Sequence, residues 1–164
     1  MNGNEIEEAD KLMRASGYPI RASGGIDDVT INAMEERLGC KFSHSYRTFL
    51  QRYGRLAFLS VEFYGFTKDG FEAQKAPSAI WVTEVNRERG ELDKDMVAIM
   101  STGFGPYFVL STREMDPEGE CPVVVAGDNV PEDYRNLGNF GEFFLSEIKS
   151  ALQIKKEMEA NSSS

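Results

Sequence analysis

The sequence predicts a single α+β domain in which helices precede an antiparallel or mixed β-sheet and a further helix closes the chain. Three observations predict it. Apolar residues recur at helical spacing through the N-terminal third and again near the C-terminus. Between them lie short β-branched and aromatic runs, broken by Gly, Pro and charged clusters. No internal repeat or low-complexity linker divides the 164 residues, a length at which one core buries roughly 70% of the unfolded surface without disulfide or metal. A hydrophobic fraction of 41%, with eleven Phe, six Tyr and one Trp, supplies large side chains for that core.

The elements follow in order. From Glu5 to Ser16, Ile6, Ala9, Leu12 and Met13 share one helical face, and Gly17, Tyr18 and Pro19 end the helix. A flexible "RASGG" leads to Asp27 and Asp28, either of which can cap a second helix carrying Ile31, Met34 and Leu38 and stopping at Gly39. Ser43 can cap a third, with Tyr46, Phe49, Leu50 and Tyr53 as its apolar stripe and Gly54 as its end. Next come "LAFLSVEFYGF" and "AIWVTEV", both read as strands, the second with Ile80 and Val82 flanking Trp81. "MVAIM" and "YFVLS" read as paired strands about the turn "STGFGP". "CPVVVA" reads as a buried strand closed by Gly127 and Asp128. The last helix has Asn139 as N-cap and Glu142 at capping-box distance, followed by Phe140, Phe143, Phe144, Ile148, Ala151 and Leu152 at helical period. The expected core includes Ile31, Leu38, Phe49, Leu50, Val97, Ile99, Val109, Val124, Phe140, Phe144 and Ile148.

Charge narrows the function. Eighteen Lys and Arg against 27 Asp and Glu leave a net charge of −9. Such a surface repels nucleic-acid phosphates and anionic membrane, and attracts a basic partner. The first residues are acidic and lack a basic n-region and apolar h-region, and no run of about 18 apolar residues exists to span a membrane. Two cysteines without a signal segment read as reduced thiols, so a cytoplasmic location is expected.

Motifs for chemistry are sparse. His44, the only histidine, falls in a helix N-terminal turn with no nucleophile at motif distance. With Cys40 it makes a pair, short of the three or four ligands zinc needs, and Cys121 stands alone; both cysteines read as small buried thiols. "GFG" at 103–105 lacks the Gly-Lys-Ser/Thr ending of a phosphate loop, and no Gly-x-Ser-x-Gly or His-Glu-x-x-His occurs. The expectation is no catalytic residue, no metal and no cofactor. Carboxylates are too numerous to single out an acid/base pair, so a carboxylate-dependent hydrolase stays open as an alternative.

The ordered set Ile31, Glu35, Leu38, Gly39, Phe42, Tyr46, Phe49, Leu50 and Gly54 resembles the first motif of the SUKH superfamily. Ser43 stands where that family usually has Pro, and Arg55 where a second Gly is common; Ser43 can start the helix by capping instead. "VAIMSTGFGPYFVLST", "EGECPVVVA" and "LGNFGEFFLSEI" are similar to its later strands and closing helix, with "GECPVV" close to bacterial YobK-like antitoxins. On that resemblance residues 26–152 form the SUKH-like domain, after an N-terminal helix and flexible connection (1–25) and before a frayed or disordered tail (153–164). It implies a non-catalytic immunity protein that occludes a cognate polymorphic toxin; a basic, nuclease-type toxin suits the charge. The alternative it implies is a regulatory interaction module like the fungal cell-wall regulators. Glu35, Gly39, Tyr46 and Gly54 are then structural motif residues, Glu35 being either a backbone anchor or a partner contact. Candidate partner-binding residues are Glu84, Glu88, Glu91, Asp93 and Asp95 on "TEVNRERGELDKD", with Tyr64, Trp81 and Tyr107 as exposed aromatic anchors. The competing reading makes the acids a solvated loop and the aromatics core.

Overall fold

The structure, a computed structural model, describes residues 4–127, 130 and 137–162. Helix α1 (Glu5–Ser16) is followed by β1 (Ile20–Ala22), α2 (Asp28–Leu38) and α3 (His44–Tyr53). A hairpin, β2 (Leu56–Phe58) and β3 (Val61–Phe63), precedes α4 (Ala79–Glu88). Strands β4 (Met96–Ser101), β5 (Tyr107–Ser111) and β6 (Val123–Ala126) then lead to α5 (Phe140–Ser162). The fold is α+β, with two three-stranded antiparallel sheets in the orders β1-β2-β3 and β4-β5-β6. Asp128, read as closing β6, lies outside the described residues.

Local chemistry sets the helix ends. Asp27 is the N-cap of α2, its carboxylate accepting the Thr30 N–H at 2.9 Å. Asp28 instead accepts from Arg47 and Gln51 of α3. Ser43 caps α3 through the Tyr46 N–H, supplying the start that a proline would otherwise provide. At α5 the capping box is complete: Asn139 Oδ1 accepts the Glu142 N–H, and Glu142 Oε1 accepts the Asn139 N–H.

The two sheets meet at a bulge. Register in β4–β5 passes from Ala98–Val109 straight to Met100–Phe108, leaving Ile99 as an extra residue. The Ile99 carbonyl accepts the Tyr64 N–H at 2.8 Å, linking the end of β3 to the second sheet. That second sheet is covered on both faces. Val97, Ile99, Leu110 and Val123 join the main core with α1, α2, α3 and α5. Ala98, Val109 and Ala126 face a smaller cluster built on Ala79 and Val82 of α4, with Tyr64 and Leu92. Burial on both sides explains the unbroken Val123–Val125 run; Val124 is only partly buried, at the margin of the smaller cluster. Aromatic rings fill the main core, where Phe49 and Phe63 each meet Phe140 and Phe144 edge to face, Phe63 and Phe144 with centroids 4.8 Å apart, while Phe140 and Phe144 stack on each other.

Three local expectations are corrected. "AIWVTEV" is a helix, α4. Ser78 accepts the Trp81 N–H and starts it, and Ala79, Val82, Thr83 and Asn86 form its buried face at three- and four-residue spacing. Packing overrides the β-branched composition. "RASGG" is in part a strand, because Arg21 and Ala22 pair with Ala57 and Leu56. The tail read as frayed continues α5 to Ser162. It packs beside α1, Tyr18 donates its hydroxyl to Glu159 at 2.9 Å, and the Lys155 ammonium lies 5.7 Å from the Tyr18 ring.

Candidate interaction surface

The motif residues build a scaffold. Glu35 is 5% exposed in α2, and its carboxylate accepts the Phe42 N–H at 2.8 Å while Arg47 Nη1 lies 3.1 Å away. Its own carbonyl accepts the N–H groups of Gly39 and Cys40, so one residue fixes the α2–α3 turn from both backbone and side chain. Gly39 takes φ +73 at the end of α2. Tyr46 is fully buried and donates its hydroxyl to the Tyr64 carbonyl at 2.8 Å. Gly54, at φ +75, presses against Gly65 so closely that a Cβ on Gly65 would lie 1.8 Å from the Gly54 oxygen.

The acidic candidates do not form one loop. Glu84 lies on α4 and takes the Arg37 guanidinium in a bidentate pair at 2.7 and 2.9 Å. Asp93 and Asp95 both hold Arg113, at 2.9 and 3.0 Å. Glu88 is exposed at the C-terminal end of α4 and Glu91 is half-exposed just beyond. Among the described residues neither has a cationic partner, and Glu88 also opposes the helix dipole.

Of the aromatic candidates, Tyr64 is 6% exposed, which corrects its reading as a surface anchor: its ring is held in the smaller core cluster. Tyr107 is half-buried, its ring centroid 6.4 Å from that of Tyr64. Trp81 is half-buried and shares a shallow groove of about 400 Å³ with Phe71, Arg37 and Glu84. The structure therefore brings Trp81 to Glu84, and Tyr107 to Tyr64, at separate places.

A further open cleft of about 520 Å³ escaped the sequence reading. Ser60, Glu62, Tyr64, Met100, Ser101, Gly103, Phe108 and Glu147 are among its walls. Burial pushes the Glu147 carboxyl above the usual range, and no ion pair offsets that effect among the described residues. Tyr64 is pushed up to about 12, first by burial and then by Tyr107 and Glu62. A signal for Glu147 was present: it sits between Phe143, Phe144, Ile148 and Ala151, on the flank of the apolar stripe of α5. The turn that carries Gly103 also presents Phe104, 52% exposed.

His44 is exposed at the start of α3. Cys40 is half-buried, and Cys121 is buried with its thiol pushed up to about 12 by desolvation, so both are weak nucleophiles at neutral pH. Among the described residues no group of three or more His, Cys, Asp or Glu is placed to hold a metal ion, and no helix is long and apolar enough to cross a membrane. A family model described as "SMI1-KNR4 cell-wall" (SUKH type) matches residues 28–144.

Proposed function

The chain belongs to the SMI1-KNR4 (SUKH) family, and from that premise we propose that it is a cytoplasmic immunity protein that binds and occludes a basic protein toxin. The observation carrying this reading is the family match over most of the chain, joined to a net charge of −9. A nuclease toxin must hold phosphates, so its active face is basic and suits an acidic occluder. Occlusion needs no chemistry from this chain, only a stable interface. Complexes of nuclease and immunity protein reach Kd values of roughly 10⁻¹³ M or below, so the affinity required is attainable. Glu88 and Glu91 are the acids best suited to contact, since among the described residues they have no cationic partner to give up. Glu84, Asp93 and Asp95 would first have to leave an arginine, or carry it into the interface.

The experiment is co-expression of any toxin domain encoded beside this gene, with and without the protein, in a growth assay. Protection by the parent, lost in Glu88→Lys/Glu91→Lys with an unchanged fold, supports the interface. Full protection by the reversed variant removes those two acids, and no protection by the parent removes the immunity reading. The family description also favours a second reading, a regulatory interaction module of cell-wall type. Absence of a toxin gene nearby, with a cell-wall phenotype on deletion, would support it.

A further inference from the structure

We propose that the cleft between β3, the β4–β5 turn and α5 is a receptor for an arginine side chain of the protein partner, held by Glu62, Glu147 and the Tyr64 hydroxyl. The inference deepens the reading of the protein as a binder of a basic partner and rests on it. Three independent placements support it. Glu147 extends from the flank of the apolar stripe of α5 into the cleft, half-buried, without a hydrogen-bond or ion-pair partner among the described residues. A carboxylate held this way gives up hydration with nothing in return until a cation arrives. Tyr64, 6% exposed, also lines this cleft, and its hydroxyl has no hydrogen-bond partner among the described residues. Glu62 projects from the outer face of β3 between the buried Val61 and Phe63, and its only cation among the described residues is Arg55 at a loose 3.8 Å.

The chemistry of these groups selects a guanidinium. Two carboxylates and a phenol oxygen offer more acceptor positions than the three donors of an ammonium can use, whereas an arginine has five donors in a planar fork. Met100 and Phe108, each 8% exposed, form an apolar floor along which the arginine stem can lie. Pairing with Arg would give Glu147 the charge compensation it lacks among the described residues.

The test is an NMR titration of the isotope-labelled full chain with millimolar arginine methyl ester, against lysine methyl ester at matched ionic strength. The expected result is saturable shift changes confined to Glu62, Tyr64, residues 101–103 and the Glu147 carboxyl carbon, with the lysine ester binding more weakly. Glu147→Gln and Tyr64→Phe should each weaken binding about tenfold, while Glu36→Gln, on the exposed side of α2, leaves it unchanged. Shifts scattered over the acidic surface without saturation, or arginine binding equal in Glu147→Gln and parent, would overturn the proposal. The probe contains no toxin, so this outcome is independent of the co-expression assay. Protection without arginine binding would leave the immunity reading standing and remove the cleft.

Discussion

Removing the Glu35 carboxylate strands the buried Phe42 N–H and takes from the Arg47 guanidinium one of its two carboxylates, the other being Asp28. Glu35→Ala should therefore cost about 2–3 kcal/mol, more than a surface acid of the same helix. Chemical denaturation of the variant beside Glu36→Ala measures this difference, and equal midpoints would contradict the anchoring role. Glu147 should behave in the opposite sense. Its folded pKa is raised by burial, so the ionised form disfavours folding: the penalty is absent below the unfolded pKa and grows as pH rises through the folded one. Glu147→Gln is expected to raise Tm at pH 7 and to leave it unchanged near pH 3.5, below the usual glutamate value of about 4.3. A lower Tm at pH 7 would mean that the carboxylate already has a stabilising partner.

At the level of elements, α4 is the segment whose type most needs a physical explanation. Its sequence is rich in β-branched residues, but Thr83 serves a purpose only a docked helix allows: its hydroxyl accepts the Ala98 N–H at 2.9 Å on the open edge of β4. Thr83→Val keeps the volume and deletes the acceptor, which should cost about 1–3 kcal/mol and speed hydrogen exchange at the Ala98 amide. Unchanged exchange there would contradict the docking. The helices α1, α2, α3 and the start of α5 were legible because caps and apolar stripes agree locally: Asp27, Ser43 and Asn139 each stand before a periodic run. The β2–β3 turn was hidden because it carries Leu59 at φ +51 where a glycine or asparagine would announce a hairpin. The end of α5 was hidden for a different reason: its support comes from Tyr18, distant in sequence. The acidic candidates were visible as a charge run, but their internal pairing with Arg37 and Arg113 depends on contacts no local pattern carries. The cleft was missed because its walls come from β3, the β4–β5 turn and α5, joined only by the fold.

For the whole molecule, the family match and the net charge of −9 support the proposed binding role. The α2–α3 motif and the packed glycines stiffen one side, while the end of α4, the Trp81 groove and the Glu62–Glu147 cleft remain open to a partner. A surface of net charge −9 should steer a basic protein into contact over distances comparable to the Debye length, about 8 Å at physiological salt. The measurement that tests this most directly is stopped-flow association of the purified protein with the proposed toxin domain, across a range of ionic strength. The account predicts a one-to-one complex whose association rate approaches about 10⁸–10⁹ M⁻¹s⁻¹ at low salt and falls steeply as salt rises, while dissociation changes little. An association rate indifferent to salt, or no complex at micromolar concentrations, would contradict it.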